Sequence, residues 1–158
     1  MAEFSSVTIQ NVAPNAAIVF TENPVPCRRG LVLHRDDTGS FLLKGFVPRS
    51  YSCGCGCNQR ARTADYLVDF GANIAIPTDG TVGSISVALA IDGTPIPSSE
   101  MIVTPAAVEQ YFNVSRAINA AIFAGCCQSV SVINTSTQPI LVQDANIIFS
   151  RPDLAVTR

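Results

Sequence analysis

Small and large side chains alternate through Ser84-Ile85-Ser86-Val87-Ala88-Leu89-Ala90-Ile91, and this stretch ends at Asp92-Gly93. A period of two places the large residues on one face of a strand and Ser or Ala on the other. Asp-Gly after such a run is a strong signal for a tight hairpin turn. The small second face indicates close packing against another part of the protein rather than contact with bulk water. This stretch therefore predicts a strand in an antiparallel sheet.

Other segments rich in β-forming residues follow one another, with Gly, Pro, Asn or Asp between them. We predict further strands at residues 7–10, 16–21, 31–35, 41–47, 65–76, 101–104, 111–117, 122–124, 127–133 and 140–149, with the strand above spanning 82–91. Thr104 and Pro105 resemble a helix start, so a short helix is expected over residues 104–110. Residues 116–124 also have helical spacing, but their neighbours favour a strand.

The chain has the size and composition of one folded domain. Its 158 residues include 47% hydrophobic and only 14% charged residues, and the mean hydropathy is +0.31. This is enough apolar material for a substantial core, so general disorder is excluded. Many short strands separated by turns predict a single all-β domain over residues 1–158, a jelly-roll β-sandwich of about eight to ten strands. A closed barrel is the alternative.

Charge and hydropathy exclude two classes of partner. The formal net charge is -2 and the basic residues form no block, so a nucleic acid is a poor partner. No apolar run reaches the ~20 residues of a membrane helix, and the N-terminal residues lack the pattern of a secretory signal peptide. Six cysteines nevertheless suggest an oxidising environment or a metal. We expect an extracellular, spore-surface, cell-surface or virion location without a signal peptide.

Three stretches carry a resemblance to a known family: residues 67–89 (LVDFGANIAIPTDGTVGSISVAL), residues 111–115 (YFNVS) and residues 130–140 (VSVINTSTQPI). They resemble small bacterial proteins of the clostridial type with a complement- and tumour-necrosis-factor-like jelly roll. They are similar, more distantly, to the tip domains of collagen-like spore-surface proteins. The resemblance extends over roughly residues 5–150.

The resemblance implies a ten-stranded sandwich that self-associates, usually as a trimer, and acts as a structural or adhesive head. The chain has no Gly-X-Y collagen stalk. A self-associating structural subunit of a surface filament, spore appendage or phage particle therefore fits the bare domain better. Its expected partner is a second copy of itself, with a surface glycan or a host receptor as a further partner.

Residues for catalysis are scarce. The single histidine, His34, precedes a turn and is interpreted as a polar residue at a strand end. No nucleophile with a base and no carboxylate pair emerges, so neither an enzyme nor a cofactor is expected.

The cysteines are the most informative set: Cys27, Cys53, Cys55, Cys57, Cys126 and Cys127. Residues 48–63 are rich in Cys and Gly and are predicted to form a protruding loop. Its three thiols, two residues apart, lie too far from one another in an extended chain for a mutual disulfide. We therefore expect at least one of them to pair with Cys27, with Cys126 or Cys127, or with another subunit.

Two alternatives to disulfides stay open. Cys53, Cys55 and Cys57 could bind zinc or another soft metal, with Cys27 or His34 as the fourth ligand, which would make the domain a ligand- or metal-binding module. All six thiols could also be free in a reducing compartment. Cys126 and Cys127, if both lie on a strand, point to opposite faces, so one of them is expected in the core.

Overall fold

The computed structural model describes residues 1–27, 29–35, 37–47 and 63–154. These residues form twelve strands and two short 3-10 helices, at Pro97–Ser99 and Pro152–Leu154. The strands are β1 (Ala2–Ser6), β2 (Gln10–Val12), β3 (Glu22–Val25), β4 (Val32–His34), β5 (Phe41–Lys44), β6 (Thr63–Ala75), β7 (Ile85–Ile91), β8 (Thr94–Pro95), β9 (Met101–Val103), β10 (Phe112–Phe123), β11 (Cys127–Asn134) and β12 (Ile140–Ser150).

The strands form two antiparallel sheets that pack face to face. The first sheet has the order β10-β6-β12-β1-β3, with β2 also paired to β12. The second has the order β4-β5-β11-β7-β8, with β9 also paired to β7. The predicted all-β jelly-roll sandwich is confirmed. The described strands outnumber the eight to ten expected, because short pieces such as β8 and β9 count separately.

Aromatic side chains fill the space between the sheets. Phe41 of β5 is fully buried, and its ring centroid lies 4.8 Å from that of Phe4, 4.9 Å from Phe149 and 5.3 Å from Phe20. Phe4 and Phe149 belong to the first sheet, whereas Phe41 belongs to the second. These tilted and edge-to-face contacts join the two sheets across the core.

The small face of β7 packs closely, as predicted, and does so within a single chain. Ser86, Ala88 and Ala90 are 8%, 1% and 0% exposed. At the neighbouring edge the Ser99 hydroxyl accepts a hydrogen bond from the Leu89 N–H at 2.9 Å, between the positions where β8 and β9 pair with β7. No partner subunit is needed to cover this face.

The predicted hairpin turn at Asp92-Gly93 is present between β7 and β8. Both residues have positive φ, 50° and 79°, as a type I′ turn requires. The Asp92 carboxylate also accepts hydrogen bonds from the Ser129 N–H at 2.8 Å and from the Gln128 amide at 3.1 Å. These bonds hold the pKa of Asp92 below its usual value, and the bond from the Ser129 N–H has the largest effect. The turn is thereby fixed to β11.

Residues 112–123 form one continuous strand, β10, instead of two strands or a strand and a helix. It pairs with β6 along its entire length, from Phe112 opposite Ile74 to Phe123 opposite Thr63. Arg116 is exposed, although it shares a face with the buried Phe70 opposite it. The edge of the first sheet therefore extends beyond the core near Arg116.

Three local predictions are wrong. Residues 104–110 form turns and bends with no helix, because the Thr104 hydroxyl bonds to Ser84 and Glu109 adopts a φ of 57° while its N–H donates to the Ile76 carbonyl. Residues 16–21 contain only isolated bridges, from Ala17 and Phe20. No strand spans residues 7–10: β1 ends at Ser6 and β2 begins at Gln10.

Candidate functional site

The described cysteines gather at one end of the second sheet. Cys127 begins β11 and pairs with Lys44, the last residue of β5. The Lys44 N–H donates to the Leu31 carbonyl at 2.9 Å, and the Leu31 N–H in turn hydrogen-bonds to the sulfur of Cys27. Cys27 and Cys127 therefore lie at the same end of this sheet.

Cys126 and Cys127 are both exposed, so the expectation that one of them joins the core is wrong. Cys126 lies in the turn between β10 and β11 and does not belong to a strand. A turn residue has no fixed alternation of faces, and the argument from strand periodicity does not apply to it. Both thiols are available to react with other groups.

The turn that carries Cys126 is held against the end of β5. The Gly45 N–H donates to the Cys126 carbonyl at 2.7 Å, and the Gly125 N–H donates to the Gly45 carbonyl at 2.9 Å. Gly45 has no room for a side chain, because a Cβ there would collide with the carbonyl oxygen of Phe123. This close backbone contact fixes the position of the two exposed thiols.

The same turn lies beside both ends of the cysteine-rich segment. Val47 follows two residues after Gly45, and Thr63 at the other end pairs with Phe123, three residues before Cys126. The candidates Cys53, Cys55 and Cys57 lie outside the described residues, as does the predicted loop 48–63 apart from Thr63, which begins β6. The described chain thus leads into and out of this segment beside Cys126 and Cys127.

Cys27 is half-buried, and its surroundings favour the thiolate. Burial raises the pKa of this thiol, but the hydrogen bonds from the backbone N–H groups of Val32, Leu31 and Arg29 and the positive charge of the N-terminal amine together lower it by more. The pKa of Cys27 therefore lies below the ordinary value of a thiol. A thiolate is the form that attacks disulfides and binds metals, so Cys27 is chemically suited to either role.

His34 is the last residue of β4 and packs into the aromatic cluster. Its ring stacks on Phe41 with centroids 4.6 Å apart, and its Nε2 lies 2.9 Å from the Thr38 carbonyl oxygen. Within the described ranges, no group of three or more His, Cys, Asp and Glu residues is arranged to hold a metal ion. The structure therefore does not bring His34 into a metal-binding cluster with other described residues.

The edges of the two sheets differ greatly in length. β3, β4, β8 and β9 at the other edges have two to four residues each, and β3 contains Pro24 and Glu22, which discourage pairing. β10 has twelve residues and a single charge, Arg116. No other described strand pairs with its outer side. A long edge strand with so little charge is the kind of edge to which another chain adds.

The outward-facing side chains of β10 are small or uncharged. They are Asn113, Ser115, Ala117, Asn119, Ala121 and Phe123, and all are exposed. Phe123 is 62% exposed, beside the thiols of the adjoining turn. β6, the next strand, has Asp69 directly opposite Ala117 and Asp65 opposite Ala121. Two charges of β6 thus border the uncharged outer face of β10.

Comparison with known proteins supports the fold through solved structures. No protein-family model matches the chain, and no curated protein sequence matches it significantly. The structure is similar to that of Eiger TNF from S. frugiperda, with a TM-score of 0.56 and 13% identity over 92% of this chain and 87% of that one. It is also similar to the globular domain of zebrafish complement 1qA, with a TM-score of 0.51 and 9% identity over 93% and 94% of the two chains.

These similarities place the chain among jelly-roll domains of the tumour-necrosis-factor and complement type, at the level of fold. The C-terminal domain of EclA, a sugar-binding protein, overlaps this chain with a TM-score of only 0.38, too low to establish a common fold. None of the helices within the described ranges has the length and apolar character that crossing a bilayer requires.

Proposed function

We propose that this domain is a non-enzymatic structural subunit that self-associates as a trimer, within an extracellular, spore-surface, appendage-filament or phage-virion assembly. The observation that carries this proposal is the edge strand β10. Soluble domains normally protect long edges with charges, prolines or covering segments, because exposed backbone N–H and C=O groups pair with other chains. Among the described residues, β10 has a single charge, Arg116, no proline and no strand paired to its outer side, so another copy of the chain is its natural cover.

The composition of the edge agrees with burial between subunits. Twelve residues at about 3.3 Å each give a contact line of about 40 Å. Apart from Arg116 and Phe123, the exposed side chains along it are small and uncharged, so two subunits can approach closely with only one charge to desolvate. Closed point-group symmetry allows the same edge to be used in every subunit of a ring. A glycan or receptor would then bind the surfaces that the assembly leaves free.

Adding two lysines to this edge is expected to convert the oligomer to a monomer. In the variant Ala117→Lys/Ala121→Lys, each lysine faces an aspartate of β6, so the cross-strand pairs preserve the fold. The ammonium groups nevertheless have to be desolvated if another subunit covers the edge, which disfavours association. Light scattering at micromolar concentration should give a trimer for the unmodified chain and 16.7 kDa for the variant.

The matched control is Thr21→Lys/Ser98→Lys, which adds the same charge at exposed positions away from β10. It should remain a trimer. A monomeric unmodified chain would contradict self-association, and a trimer that tolerates the β10 lysines would contradict the use of this edge.

We further propose that cysteines cross-link the assembly, through a bond between one of Cys53, Cys55 and Cys57 and a cysteine elsewhere in the chain or in another subunit. Two observations support this. Cys126 in the turn and Cys127 at the start of β11 are exposed near Val47 and Thr63, and the pKa of the Cys27 thiol is lowered at the same end of the sheet. A disulfide within a chain typically contributes about 2–4 kcal/mol, and one between chains makes their contact independent of concentration.

Cross-linking predicts a change of mobility on denaturing gels of native material when a reductant is added. Peptide mapping should find at least one of the three loop cysteines bonded to Cys27, Cys126, Cys127 or a second chain. The double variant Cys126→Ser/Cys127→Ser and the single variant Cys27→Ser identify the partner. If all six thiols react with an alkylating reagent and the protein runs as a monomer in both lanes, the cross-linking proposal is wrong.

The native material used for these gels also tests whether the Cys53–Cys57 segment binds a ligand or a metal. The exposed thiols of Cys126 and Cys127, near the described residues Val47 and Thr63 that flank residues 48–62, are candidates for further ligands to zinc or another soft metal. One metal ion per chain in protein purified without a chelator would replace the disulfide proposal by a metal-binding module.

A further inference from the structure

A cavity of about 340 Å³ lies between two segments in the N-terminal part of the chain. One wall is formed by residues from the end of β1 to the end of β2, and the other by residues between 13 and 21. In the first sheet, β6 and β12 separate β1 and β2 from β10. The cavity is therefore remote from the edge strand through which we expect the chain to self-associate.

Hydrogen bonds hold the two walls at a fixed distance. The Gln10 side chain bridges them, because its Oε1 accepts from the Val19 N–H at 2.8 Å and its Nε2 donates to the Val19 carbonyl at 3.0 Å. At the end of β1, the Thr21 N–H donates to the Ser5 carbonyl at 3.1 Å. The cavity is thus formed before a ligand binds, which reduces the entropic cost of binding.

The most buried polar side chain on this cavity is that of Ser6. Ser6 follows Ala2 and Phe4 on the face of β1 that points into the sandwich, and it is only 2% exposed. Its hydroxyl makes no hydrogen bond with any residue that the structure describes. Buried polar side chains nearly always have a partner, so an unpartnered hydroxyl on a cavity wall indicates that a ligand or a water molecule bonds to it.

Further polar groups lie at the mouth of the cavity. Thr8, Asn11 and Thr21 line it and are exposed, so their hydroxyl and amide groups are accessible to a ligand. Val12 and Ala17 add apolar surface to the lining. Apolar walls with a small number of convergent polar groups are typical of small-molecule sites.

These groups are suited to a compact ring that carries several hydroxyls. A serine or threonine hydroxyl both donates and accepts, and an asparagine amide has one acceptor and one donor group, so each can bond to a ligand hydroxyl in either direction. The volume lies near the lower limit of about 300 Å³ for small-molecule sites, which favours one ring over a longer chain. The C–H groups of such a ring would contact the apolar walls.

We propose that this cavity binds one neutral sugar unit at the exposed end of a glycan, with a sugar hydroxyl bonded to Ser6 and the ring against Val12 and Ala17. The proposal rests on the part of the proposed function in which a glycan binds surfaces that the assembly leaves free. It does not require a trimer, because the walls of the cavity belong to a single chain. The sugar hydroxyl would replace the water that fills a polar cavity in the free protein.

The test is a titration of the isotope-labelled full-length chain with methyl glycosides, followed by NMR. The probes are the methyl glycosides of glucose, galactose, mannose and N-acetylglucosamine, and cyclohexanol, a ring of similar size with one hydroxyl, is the control. At least one glycoside should shift the amide signals of residues 6–12 and 16–21 in a saturable manner. Half-saturation by cyclohexanol should require at least about ten times more ligand, because it lacks most of the hydrogen bonds.

Two adjacent serines provide matched variants. Ser6→Ala should weaken glycoside binding about fivefold and leave the melting temperature unchanged, because the protein loses no internal hydrogen bond. Ser5 points to the outer face of β1, where its hydroxyl donates to the Glu22 carboxylate at 3.3 Å. Ser5→Ala should therefore bind the glycoside as the unmodified chain does.

The proposal is overturned if no glycoside gives saturable shifts in these residues, if cyclohexanol binds equally well, or if the Ser6 and Ser5 variants bind alike. Light scattering on the same samples reports self-association separately. A trimer that binds no glycoside would contradict this site alone, whereas a monomer that binds one would contradict self-association alone.

Discussion

Replacing Phe41 by alanine is expected to lower the free energy of unfolding by about 3–5 kcal/mol, the usual cost of removing a large aromatic side chain from a core. Phe41 is fully buried, and its ring contacts Phe4, Phe20, Phe149 and His34. The variant loses the transfer free energy of the ring and leaves a cavity that residues from both sheets cannot easily fill. Urea denaturation at one fixed protein concentration measures the loss.

The neighbouring residue in the same strand is the control. Leu42 points to the outer face of β5 and is 37% exposed. Leu42→Ala is expected to cost less than about 1 kcal/mol, in the range of surface substitutions. Equal losses for Phe41→Ala and Leu42→Ala would contradict the assignment of inner and outer faces in β5.

Asn134→Ala is expected to cost about 3 kcal/mol or more, because the side chain is fully buried and bonds to three backbone groups, one in β2 and two in the turn after β11. Its amide donates to the Val12 carbonyl at 3.0 Å and to the Gln138 carbonyl at 2.9 Å, and its Oδ1 accepts from the Ser136 N–H at 2.8 Å. Without the side chain these backbone groups lose their partner inside the protein. The same urea titration gives the size of the effect.

Asn11→Ala provides the comparison, because Asn11 is exposed on β2, next to Val12. Its removal is expected to change stability by less than about 0.5 kcal/mol. If Asn134→Ala were equally mild, water would have to satisfy the three backbone groups, and Asn134 would not be the link between β2 and the turn after β11.

The edge strand β10 illustrates the limits of local information. Its residues have both helical and strand character, and the sequence predicts two separate strands with an ambiguous stretch between them. Pairing with the thirteen-residue strand β6 makes this segment one continuous strand, because β6 supplies backbone partners along all twelve residues of β10. Tertiary context commonly overrides such weak local preferences.

The grouping of Cys27, Cys126 and Cys127 at one end of the second sheet was only partly predictable from the sequence, for a similar reason. The sequence identifies Cys27, Cys126 and Cys127 as candidates, but it does not indicate that β5 and the β10–β11 turn place Cys126 and Cys127 together in the open. The hydrogen bonds that lower the pKa of Cys27 arise from residues brought together by folding. No spacing in the chain signals them.

The all-β class, the alternation in β7 and the Asp92-Gly93 turn could be predicted from local sequence, because strand periodicity and positive φ act over a few neighbouring residues. The pairing of β1 with β12, 139 to 147 residues away along the chain, and the addition of the Pro24-containing β3 beside β1 appear in the folded structure and not in the local sequence. These pairings depend on long-range contacts, whose cost in chain entropy is recovered only when the core closes. The same closure left β10 as the one long described edge, from which the proposed assembly follows.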